Sequence, residues 1–124
     1  MSTQVESSAI GRVIGWTAIV ATVLVTPWAT FDPINVPKLA VIAVGGLITL
    51  AALLVNAKAL ITRRHKTVLV VSGLFVLDLT LVFFFAGTNP YQEFFGTYGR
   101  ATGFGGYIAL TALFIGAVVI ASAK

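Results

Sequence analysis

Apolar residues in this chain do not alternate with polar ones; they gather in four blocks divided by short polar joints. The blocks cover about residues 10–28, 39–55, 68–86 and 107–123, with Lys and Arg only at their edges. A run such as VLVVSGLFVLDLTLVFFFAG is apolar on every side, whereas a membrane strand would alternate apolar with polar positions. Each block approaches the roughly 20 residues that a helix needs to cross a hydrocarbon core about 30 Å thick. Helices also satisfy their own backbone groups in lipid. The pattern therefore predicts an all-α integral membrane protein, a single domain over residues 1–124 with four transmembrane helices.

Composition strengthens this picture. Of the 124 residues 58% are hydrophobic and only 10% charged, and the mean hydropathy is +1.01. The leader MSTQVESSAIGR is weakly charged, and TPWATFD offers Pro27 and Trp28 where a cleavage site wants small residues, so the first block reads as a retained helix. Four of the eight cations, Lys58, Arg63, Arg64 and Lys66, lie in the single joint KALITRRHK. Such clustering is the positive-inside signature, with loose attraction to anionic lipid, and it calls for no nucleic acid. It places that joint and both termini in the cytoplasm and the other two joints outside. The chain has no cysteine, which removes disulfides and thiolate metal sites.

The outer joints have internal grammar. In TFDPINVPK, Asp32 and Pro33 favour a turn. Pro37 suits the first turn of the second helix, and Lys38 is expected to snorkel to the outer headgroups. In TNPYQEFFG, Asn89 is a candidate N-cap, Pro90 takes the first helical position, Gln92 the capping-box position, and Gly96 ends a short helix. Tyr91, Phe94, Phe95 and Tyr98 fall at i, i+3, i+4 and i+7, an aromatic stripe suited to the membrane surface, so this helix is expected to be interfacial. Glu93 and Arg100 have ion-pair spacing across Gly96 and Gly99. Small residues mark expected packing faces: Gly11 with Gly15, Gly45 with Gly46, and Ala109, Ala112 and Gly116.

Three features carry candidate chemistry. Asp78 lies near the middle of the third block, where an ionised carboxylate costs about 2.5–3.5 kcal/mol on insertion scales. It is expected either to hold a proton and hydrogen-bond between helices, with Thr22 matched in depth, or to meet a helix, subunit or ligand from outside the chain. His65, the single histidine, stands between Arg64 and Lys66 with no second metal ligand nearby and is expected to be solvated. The segment GTYGRATGFGGY surrounds Arg100 with five glycines. It lacks the spacing of the nucleotide-phosphate loops, yet glycine backbone and a guanidinium together suit phosphate oxygens, whether of lipid headgroups or of a bound anion.

Taken in order, FDPINVPKLAVI, LDLTLVFFFAGTNPY and EFFGTYGRATGFGGYIAL resemble the opening of the O-antigen ligase and O-antigen polymerase superfamily. The positions that carry the resemblance are Pro37, Lys38, Asn89, Pro90, Gly96, Tyr98, Arg100 and Gly103, within about residues 26–113. The resemblance implies a bacterial inner-membrane protein that contacts a glycan on an undecaprenyl pyrophosphate carrier at the outer face, through Arg100, Gly96, Tyr98, Gly103 and Lys38, with no metal or other cofactor. In a longer chain it implies a metal-independent glycosyltransferase using that polyprenyl-linked donor. The catalytic arginines and histidine of that family lie in a large outer loop later in the chain, so residues 1–124 alone are expected to bind or scaffold and not to catalyse. The competing expectation is a small accessory subunit of a larger membrane complex.

Overall fold

The computed structural model describes residues 2–25, 34–60, 62–85, 87, 89–96 and 103–122. Their elements, in order, are α1 (Ser2–Val23), α2 (Asn35–Val55), α3 (Ala57–Leu60), a 3-10 turn (Arg63–His65), α4 (Lys66–Phe85), α5 (Pro90–Phe95) and α6 (Phe104–Ala121). No strand occurs among the described residues, as the unbroken apolar blocks require. Three helical stretches are long and apolar enough to cross a membrane: α2, the turn continued into α4, and α6. The apolar part of α1 is shorter, Ser8–Val23, and holds Arg12 within it.

All four long helices begin earlier than their apolar blocks. α2 starts at Asn35 because Pro37 and Lys38 are tolerated in a first turn whose N–H groups have no intrahelical acceptor. α6 starts at Phe104, after Gly103 as N-cap. The first helix, by contrast, ends at Val23, and the Leu24 N–H still bonds the Val20 carbonyl at 2.9 Å. Residues 26–28 of the expected first span, together with the Asp32–Pro33 turn, lie outside the described residues.

The bundle is built around α2. A Cβ on Gly45 would fall on the Thr17 side chain of α1; one on Gly46 would lie 2.7 Å from Ala109 Cα and 2.8 Å from the Ala109 carbonyl oxygen of α6. Successive residues of α2 thus face two different helices, Gly45 leaving room for the Thr17 side chain and Gly46 for the α6 backbone. Lower down, Thr49 faces Gly116, and Leu53 packs with Ile10 and Val119. These pairings run α2 and α6 parallel, with α1 antiparallel to both. In lipid such contacts hold helices together by close packing rather than by expulsion of water. Ala109, Ala112 and Gly116 are buried on α6 as their spacing predicts. Gly15 has nothing near it and Gly11 only the edge of Ile120, so that GxxxG pair is not a close crossing within the chain.

Hydroxyls inside the helices mostly turn back on their own backbone. Thr17, Thr80 and Thr111 donate to carbonyls four residues earlier at 2.7–2.8 Å. Thr49 is the exception, 1% exposed, with no partner for its Oγ1 among the described residues.

α4 lies at the edge, against α6, with Ser72 its one buried residue. Phe75 meets Tyr107 edge-on at 6.3 Å, and Phe83 stacks on Phe104 at 4.9 Å. α4 is therefore antiparallel to α6, and the N-terminal side of α1, the α2–α4 connection and the C-terminal side of α6 share one end of the bundle.

Candidate functional site

The site begins with the chemistry of α5. The Asn89 Oδ1 accepts from the Tyr91 N–H at 3.0 Å, and Pro90 occupies the first helical position, where its missing N–H removes no bond. Gly96 closes the helix at φ 88°, a left-handed conformation that side chains disfavour, while its N–H bonds the Gln92 carbonyl at 2.8 Å. Cap, Pro90 and stop thus match the sequence, whereas the capping-box bond expected at Gln92 does not form among the described residues.

Gly103 then returns to the same spot. A Cβ there would strike the Gly96 nitrogen and the Phe94 carbonyl oxygen, so only glycine lets the N-cap of α6 meet the C-cap of α5 backbone to backbone. Gly96 and Gly103 are thus the two touching residues that flank the segment 97–102 in the sequence. Tyr98 and Arg100 belong to that segment and lie outside the described residues, as does any pairing of Glu93 with Arg100. Lys38 is half-buried in the first turn of α2, at the same end of the bundle.

The aromatic stripe does more than lie on a surface. Tyr91 is exposed, with Phe95 at 4.8 Å from it, but Phe94 turns toward the bundle, 6.3 Å from Phe83 and 6.2 Å from Phe104. These rings join α4, α5 and α6. Beneath Phe94, Phe95 and Phe104 is a cavity of about 310 Å³, floored by Leu39, Gly46 and Leu50 of α2 and Ala109 of α6. It falls at the lower end of the roughly 300–1,000 Å³ typical of ligand pockets, and its walls offer apolar side chains and glycines. An alkyl chain fits such a lining; a polar group would find no hydrogen-bond partner there. The cavity was not visible in the sequence, although the run Phe83 to Phe85 and the pair Phe94–Phe95 flanking one joint were its only available sign. Comparison with protein-family models, with curated proteins and with solved structures found no match to this chain.

Asp78 and Thr22 occupy separate environments. The Thr22 hydroxyl donates to the Ala18 carbonyl of its own helix at 2.7 Å. Asp78 is exposed on α4, and among the described residues no hydrogen bond or ion pair reaches its carboxylate.

His65 corrects a sequence expectation. It is not solvated but 6% exposed. Its Nδ1 accepts from the Thr62 N–H at 3.1 Å, with the Thr62 hydroxyl at 3.2 Å. That leaves the proton on Nε2, which faces the Ser122 hydroxyl beyond the end of α6. Ser122 in turn donates to the Val118 carbonyl at 2.9 Å. The imidazole thus ties the basic connection to α6, while Arg63, Arg64 and Lys66 around it remain exposed.

Proposed function

We propose that this chain is a four-span domain of the bacterial inner membrane that holds an amphiphilic phosphate-bearing lipid, an undecaprenyl-pyrophosphate glycan or a lipid headgroup, at its outer face. In this reading α1 is the fourth span, and the basic connection and both termini are cytoplasmic. The domain serves as the N-terminal, lipid-contacting part of a glycan ligase or polymerase and is not catalytic alone. The observation that supports it is the backbone contact of Gly96 with Gly103 beside an apolar cavity roofed by three phenylalanines. Arg100 stands three residues before Gly103 in the sequence, and this reading pairs that cation, suited to phosphate oxygens, with the hydrocarbon-lined groove. A molecule with a phosphate head and an isoprenoid or acyl tail matches both features.

The test is direct binding of undecaprenyl pyrophosphate glycan to the purified chain in nanodiscs, compared with Arg100→Ala. The reading expects at least a tenfold weaker affinity for the variant. Equal affinities, or no binding by either, would refute the phosphate contact. The alternative, a non-catalytic accessory subunit of a larger membrane complex, draws its support from the outward position of Asp78.

A further inference from the structure

α4 carries a carboxylate that no hydrogen bond or ion pair serves among the described residues. At about 1.5 Å per residue, Asp78 lies about 18 Å from Lys66 and about 10 Å from Phe85. A side chain with a single methylene does not reach a headgroup from there. Ser72, Val76 and Phe83 occupy the side of α4 turned toward the bundle, where Ser72 is buried and Phe83 stacks on Phe104. Asp78 lies roughly opposite, in an exposed stripe with Val71, Leu74, Leu81, Val82 and Phe85.

The cations among the described residues are Arg12, Lys38, Lys58, Arg63, Arg64 and Lys66. Lys66 opens α4 itself and the others lie on α1, at the start of α2 or in the basic connection, so no ion pair within the described residues offsets the carboxylate. An apolar stripe alone is what lipid would cover. A carboxylate in the middle of that stripe is not, because leaving it ionised in hydrocarbon costs about 2.5–3.5 kcal/mol.

We propose that this face of α4 docks a transmembrane helix from outside these 124 residues that presents a lysine or arginine at the depth of Asp78. The aliphatic side chains of the stripe supply the packing, and the ion pair fixes rotation and depth. The surface is distinct from the phosphate-contacting end, and the proposal does not depend on what binds there.

The experiment reconstitutes the full chain, donor-labelled, in phosphatidylcholine–phosphatidylglycerol vesicles with acceptor-labelled synthetic polyleucine transmembrane peptides. One peptide carries a central lysine, one a lysine at its end and one none. Energy transfer should give the central-lysine peptide at least a tenfold higher association constant than either control. Asp78→Leu should abolish that difference, and Asp78→Asn should reduce it severalfold. Because Asp78 is exposed and makes no hydrogen bond or ion pair among the described residues, both variants are expected to keep the wild-type helical signal. Equal association of all three peptides, or an unchanged preference in Asp78→Leu, overturns the proposal. Full retention in Asp78→Asn overturns the role of charge. Self-association of the chain that disappears in Asp78→Leu assigns the face to a second copy instead and overturns it equally.

Discussion

Replacing Gly46 by alanine tests the central crossing of the bundle. The added Cβ would lie 2.7 Å from both Ala109 Cα and Ala109 Cβ and 2.8 Å from the Ala109 carbonyl oxygen. Carbon atoms prefer about 3.5–4.0 Å, so α2 and α6 must separate by about 1 Å at their waist. Overpacking of this kind costs about 1–3 kcal/mol. The upper part of that range applies, because the obstacle is backbone and has no rotamer to change. Alanine regains about 1 kcal/mol over glycine in helix propensity, leaving a net loss of about 2 kcal/mol. Gly73 is the internal control: it lies in α4 with nothing within 4 Å of its added Cβ. Gly73→Ala should therefore be neutral or stabilise by about 0.5–1 kcal/mol. Reversible unfolding in mixed micelles titrated with dodecyl sulfate, followed by circular dichroism, measures both. A Gly46→Ala variant as stable as wild type, or equal shifts for the two variants, would refute the close α2–α6 crossing.

Thr49→Val keeps the shape of a fully buried residue and removes a hydroxyl that has no partner among the described residues; relief of that penalty should raise stability by about 1 kcal/mol in the same titration. Ser122→Ala removes the partner of His65 Nε2 and should lower stability by about 1 kcal/mol, with an unchanged midpoint counting against the link. For the arrangement in the membrane, cysteines at Arg64 and Thr97 should react with an impermeant thiol reagent from opposite sides of intact cells and inverted vesicles. Reaction of both from one side would contradict a single crossing of the membrane by α4.

Local features of this molecule were the legible ones. The helix Pro90–Phe95 is specified within eight residues: Asn89 caps it, Pro90 enters it and Gly96 stops it. The small-residue face of α6 was likewise readable from Ala109, Ala112 and Gly116, because spacing alone puts them on one side. Gly11 and Gly15 obey the same spacing but meet no close neighbour. Small residues state that a helix can approach, not which one does. His65 was misread because its second partner, Ser122, lies 57 positions away and nothing in RRHK signals it. The cavity under Phe94 was hidden for a related reason: it exists only where α2, α5 and α6 converge, so no single segment encodes it. The span of α1 was harder still, since Arg12 interrupts its apolar run while the apolar letters continue beyond Val23.

The tie between His65 and Ser122 also sets an order of events during synthesis. When the α2–α4 connection leaves the ribosome, the imidazole has its Thr62 partner at once, three residues away. Its other nitrogen must wait until the far end of α6 has been made and inserted. Until then α4 also lacks its ring contacts with Tyr107 and Phe104, because both partners belong to α6. The last residues described in the chain thus complete a junction begun near its midpoint, so correct insertion of α6 is what locks the earlier connection in place.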